Sequence, residues 1–180
     1  MNTNNLVNDM RVFYTLLIFV LSGCTGIAPG LVPVSNFESD RYLGKWYEIA
    51  RLDHSFEHGL SDVSANYSMR NDGGIAVVNQ GFSVTKNSVD KAEGKAYFVG
   101  ERTIGHLKVS FFGPFYGSYV VFELDAVDYQ YAYVGSYNKD YLWLLSRTST
   151  VTEARKQHFI NSAKSKGYAA DDLIWVDHSN

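Results

Sequence analysis

The sequence predicts an all-β domain: eight antiparallel strands in up-and-down order, forming a barrel or a sandwich, then one C-terminal helix and a short final strand. Three observations predict it. Past Phe37, short runs of Val, Ile, Tyr and Phe recur at regular intervals between Gly, Asn and Asp, the pattern of strands joined by turns. Inside the runs, apolar and polar residues alternate, so each strand carries one apolar face. Aromatic residues make up 15% of the 180 residues, with 13 Tyr and 11 Phe. These types favour strands, and Tyr suits a cavity wall because it joins an apolar ring to a polar tip.

Strands are expected over 44–54, 63–70, 75–84, 90–99, 106–112, 118–125, 130–137 and 141–147. Val63, Ala65, Tyr67 and Met69 oppose Ser64, Asn66, Ser68 and Arg70. Leu107, Val109 and Phe111 oppose His106, Lys108 and Ser110. Asn71-Asp72-Gly73-Gly74 is a hairpin signal, Asn138-Lys139-Asp140 reads as a turn, and Gly113-Pro114 ends the fifth strand. Thr150-Val151-Thr152-Glu153 has the form of a capping box. Val151, Ala154, Phe159, Ile160 and Ala163 then give a helix a partial apolar stripe, and Gly167 can close it. Leu173 to Val176 reads as the last strand. No internal repeat or second domain interrupts this order.

The N-terminal part reads as an address. Val12 to Leu21 is apolar. At about ten residues it is too short for a bilayer core of roughly 30 Å, and it fits the central region of a secretory signal. Met1 to Asp9 is polar, so Met10 is an alternative start. Leu21-Ser22-Gly23-Cys24 follows directly and resembles the lipobox of bacterial lipoproteins. That resemblance implies cleavage between Gly23 and Cys24 and acylation of Cys24. Thr25, in place of Asp, implies sorting to the outer membrane. Ile27 to Asn36 carries two of the three prolines and reads as an extended tether. The expected division is a signal peptide over 1–23, a lipidated tether over 24–36 and a barrel domain over 37–180.

Composition excludes several classes. Net charge is −3 and no basic stripe appears, so nucleic acid is not an expected partner. A single cysteine rules out an intrachain disulfide. His54 and His58 are four apart but not on an expected helix, so no metal site is expected. No GxSxG, HExxH or Gly-rich phosphate loop is present, and the chain is expected to use no cofactor and to catalyse nothing. Glu48 shares parity with Trp46 and is expected as a buried structural acid bonded to Tyr.

Gly44-Lys45-Trp46-Tyr47 opens the first strand and resembles the G-x-W motif of the lipocalin family. Asp128-Tyr129 resembles its second motif, with Val127 in the place of Ser or Thr. Arg147, ending the eighth strand, matches the arginine of the third motif. The segments YLGKWYEIARLDHSFE, EGKAYF, LKVSFFGPFYG and DYLWLLSRT are similar to bacterial lipocalins. The resemblance implies that the eight strands close into an antiparallel up-and-down barrel and that Arg147 closes over Trp46 at its shut end. It also implies an outer-membrane lipoprotein on the periplasmic side that binds fatty acids or lysophospholipids.

Inward-facing candidates for ligand contact are Ala50, Leu52, Val63, Ala65, Tyr67, Met69, Ala96, Phe98, Leu107, Val109, Phe111, Trp143 and Leu145. Ala92, Gly94 and Ala96 are small and would leave room for a chain-like ligand. Two alternatives stand beside lipid binding. One is a haem or bilin carrier using His54 or His106. The other is an envelope interaction module with no ligand, in which the run Phe111-Phe112-Gly113-Pro114-Phe115-Tyr116 would form a contact patch; the same patch suits a homodimer.

Overall fold

The computed structural model describes residues 25–179. The expected signal segment, Gly23 and Cys24 lie outside the described residues.

A four-residue helix, α1 (Ser39–Tyr42), precedes eight strands: β1 (Gly44–Arg51), β2 (Leu60–Met69), β3 (Ile75–Ser83), β4 (Ser88–Phe98), β5 (His106–Ser110), β6 (Gly117–Leu124), β7 (Tyr131–Gly135) and β8 (Leu142–Ser146). Helix α2 (Glu153–Ser165), a short 3-10 turn (Ala170–Asp172) and β9 (Ile174–Trp175) follow. Each strand pairs antiparallel with the next, and β1 pairs with both β8 and β2. That double pairing closes the sheet, so the barrel leaves no strand edge open. β9 adds to the outer part of β1.

The first strand contains the decisive irregularity. Glu48 pairs with Leu145, but Ala50 pairs with the adjacent Leu144, so β1 carries a bulge. An extra residue in one strand flips the facing of everything beyond it. Trp46 and Glu48 therefore face inward, whereas Ile49, Ala50 and Leu52 belong to the core under α2. Ala50 and Leu52 do not line the barrel interior, because parity counted from Trp46 runs across that bulge.

Helix α2 packs on the outside. Phe159 and Ala163, one turn apart, are fully buried against Tyr133 and Leu144 from the barrel wall. Its N-cap is Thr152, whose side chain accepts from Arg155 N–H at 3.2 Å. The cap thus lies two residues later than a box starting at Thr150. Ala154 falls on the exposed side of the helix. Gly167, at φ 77°, lets the chain turn away after the last helical residue.

Residues 25–36, expected as an extended tether, are docked along the barrel wall. Ala28 N–H donates to Ser136 O at 3.0 Å, Val34 N–H to Val121 O at 2.9 Å, and Gly105 N–H to Val34 O at 2.9 Å. Ala28 and Leu31 are buried in the same core as α2. Extended, proline-bearing backbone is suited to lie along a wall, and the buried apolar side chains hold it there.

Candidate functional site

One end of the barrel is shut from the residues upward. Trp46 is fully buried, and its indole N–H donates to Tyr42 O at 2.8 Å. The Arg147 guanidinium lies 3.9 Å from the Trp46 ring centre. It donates to Arg41 O at 2.7 Å, Lys45 O at 2.9 Å and Tyr129 O at 3.2 Å. A planar fork that also stacks on an aromatic face is what arginine offers and lysine does not. The Tyr129 hydroxyl accepts from Glu38 N–H at 3.0 Å, which ties the approach to α1 into the same plug. Phe37 packs against Tyr42 and Phe98.

Above this plug is a cavity of about 970 Å³. It reaches solvent at the other end, between the loop after β1, the β3–β4 hairpin, the β5–β6 loop and the β7–β8 turn. Its walls carry Val63, Ala65 and Tyr67 from β2, and Ala96 from β4. Leu107 and Val109 from β5, Phe111 just after it, and Trp143 and Leu145 from β8 complete the expected residues found there.

Two further candidates are placed elsewhere. Phe98 has inward parity but sits in the plug, against Phe37 and beneath Arg102. Met69 pairs with Ile75 on the last rung before the hairpin turn and is 42% exposed. Parity places both correctly; height along the barrel does not. Ala92 and Ala96 line the cavity, but the space at Gly94 is taken by Phe111. A Cβ on Gly94 would stand 2.8 Å from that ring.

The sequence reading missed a buried polar cluster on one wall. Arg51, only 1% exposed, donates to Glu48 Oε1 at 2.7 Å and to Glu57 O at 2.8 Å. Glu48 is thus bonded to Arg51 and not to a tyrosine. Trp143 Nε1–H donates to Glu57 Oε2 at 3.2 Å, and His54 Nε2 lies 3.0 Å from the same oxygen. Burial first, and the neighbouring Glu57 charge second, hold the Glu48 carboxyl well above its ordinary range, against the pull of Arg51. Burial also pushes Glu57 upward, but its bonds from His54 and Trp143 prevail and hold it below the usual range. The surroundings thus favour the protonated form of Glu48 and the charged form of Glu57. Glu57 belongs to the loop after β1, so these bonds draw that loop over the mouth. Neither His54 nor His106 lines the cavity; His58 pairs with Asp53, and His106 Nε2 lies 3.0 Å from Ser118 Oγ.

A closed antiparallel barrel, stoppered at one end and hollow and largely apolar behind a single mouth, defines a binding protein of the calyx class. The chain belongs to the lipocalin family: its residues 37–178 match the model described as a lipocalin-like domain. It is 57% identical over 168 residues to the outer membrane lipoprotein Blc of Vibrio cholerae, covering 93% of this chain and 98% of that protein. It is 48% identical over 160 residues to Blc of Escherichia coli, covering 88% and 90%. Among solved structures it resembles insecticyanin from the tobacco hornworm Manduca sexta. The TM-score is 0.69 at 23% identity, covering 86% of this chain and 88% of that one. That likeness shows the shared fold.

Proposed function

We propose that this protein is a passive lipid carrier, anchored on the periplasmic side of the outer membrane by an acylated Cys24, with a fatty acid or lysophospholipid chain held in the barrel. The observation that carries the reading is the apolar cavity with one mouth and a sealed floor. Burying an acyl chain gains roughly 0.8 kcal/mol per CH₂. Ten methylenes would give about 8 kcal/mol before the costs of ordering the ligand. A polar head would remain at the mouth, among Tyr116, Tyr137 and Tyr141.

The surroundings of the mouth support placement against a membrane. Phe56, Phe112 and Phe115 ring it and are 57%, 79% and 69% exposed, which is unusual for large apolar side chains facing water. Thr25, joined to Cys24 by one peptide bond, accepts a hydrogen bond from His106 on the outer wall. Ala28 is bonded to Ser136, at the mouth end of β7. The lipoproteins named above carry the same address in their names.

Titration of residues 25–180 with a fluorescent fatty acid tests the reading. Trp143 lines the cavity, so saturable quenching of tryptophan emission at micromolar concentration or below is expected, reversed by unlabelled lysophospholipid. Binding that is neither saturable nor competed would overturn it.

A further inference from the structure

Three tyrosines meet at the bottom of the cavity. Tyr42 comes from α1, Tyr67 from β2 and Tyr119 from β6, and all three line it. The Tyr119 hydroxyl lies 2.7 Å from that of Tyr42 and 3.0 Å from that of Tyr67. The rings are fixed by their neighbours. Tyr42 packs on Trp46 at 4.8 Å and on Tyr67 at 5.5 Å, and Tyr67 meets Tyr119 edge-on at 6.3 Å.

Each phenol has one O–H to donate. Three hydroxyls joined by two bonds use two of the three protons, whichever way the bonds run. One proton is always left over, and no acceptor for it exists among the described residues. Burial holds all three phenols well above their ordinary pKa, so the spare group remains a donor.

We propose that this cavity floor is a binding site for a neutral oxygen, hydroxyl or carbonyl, at the buried end of an acyl-chain ligand. The inference rests on the reading of the cavity as a lipid site and specifies which chain it favours. A chain that fills the cavity excludes solvent from the floor, so a plain methyl end would leave the donor unmatched, and unmatched buried polar groups are costly. A carboxylate fits less well. The Glu57 carboxylate acts on Tyr67 from the same cavity, and Arg147 lies behind the plug, where it is committed to three carbonyls. A neutral acceptor gains the bond without the repulsion.

The test is competition. Palmitic acid and its terminally hydroxylated counterpart, each within a series of chain lengths, displace a fluorescent fatty acid from residues 25–180. The hydroxylated acid is expected to bind about tenfold better at the length that reaches the floor. In the variant Tyr42→Phe/Tyr67→Phe/Tyr119→Phe that preference should vanish, the two acids displacing the probe with equal affinity at every length. A triple variant is needed, because removing either end phenol still leaves one spare proton. A mid-chain hydroxyl isomer gives a second reading on the unaltered chain: it should show no preference. Equal affinity at every length, or a preference kept by the mid-chain isomer, overturns the floor site and leaves lipid binding intact. If no acid displaces the probe, the lipid reading itself fails.

Discussion

Arg147 joins three separate stretches of main chain while its plane covers Trp46. Lysine at this position would keep the charge but could not reach three carbonyls or stack. Arg147→Lys should therefore cost about 2 kcal/mol of stability, read as a lower urea midpoint with an unchanged slope. Glu48 acts at the same scale through its proton. Its carboxyl has a higher pKa in the folded chain than in the unfolded one. The contribution is fully present below the ordinary carboxylate value of about 4.3 and is lost as pH rises toward the raised folded value. Glu48→Gln is neutral throughout. Melting temperatures followed from about pH 4 to about pH 8 should show the variant gaining on the wild type as pH rises. A constant difference would mean that folding does not raise the pKa of the Glu48 carboxyl.

Among elements, the segment before α1 does more than connect. Leu31 is 7% exposed and sits in the core shared by α2 and the outer wall. If residues 25–36 were a free spacer, Leu31→Ala would be silent. Docked as they are, the change should cost roughly 2–3 kcal/mol, within the range for buried leucines cut to alanine, measurable by chemical unfolding. The β1 bulge is the second such device. It turns Ala50 outward to meet α2 and leaves Glu48 inside, so one strand serves two cores. Gly135 marks how close the packing runs there: a Cβ on it would stand 2.7 Å from Leu31 Cδ1.

The molecule as a whole separates a dry exterior core under α2 from a hollow interior, and paired substitutions distinguish them. Val109 lines the cavity. Val109→Trp should fill space that a ligand would use, lowering fatty-acid affinity at least about tenfold with little loss of stability. Ala50→Trp places the same ring between β1 and α2, where nothing is vacant. Overpacking there should lower the melting temperature sharply while any folded fraction still binds. Loss of stability in the first and loss of binding in the second would reverse the assignment of inside and outside.

The fold was legible because it is written in local terms. Alternation and turn residues mark eight strands, and the resemblance of the segments around Trp46 and Arg147 to lipocalin motifs implies that the first and last of them meet. Much of the cavity wall followed from the same parity, as Val63, Ala65, Tyr67, Leu107 and Val109 show. Three things did not follow. The bulge moved Ala50 and Leu52 outside, because one extra residue in a strand has no signature in the alternation around it. Phe98 and Met69 lie at the shut end, because parity says which way a side chain points and nothing about its height. The Glu48–Arg51–Glu57 cluster and the three-tyrosine floor join residues from distant segments. Their chemistry exists only once closure of the barrel removes water and leaves each polar group dependent on its neighbours.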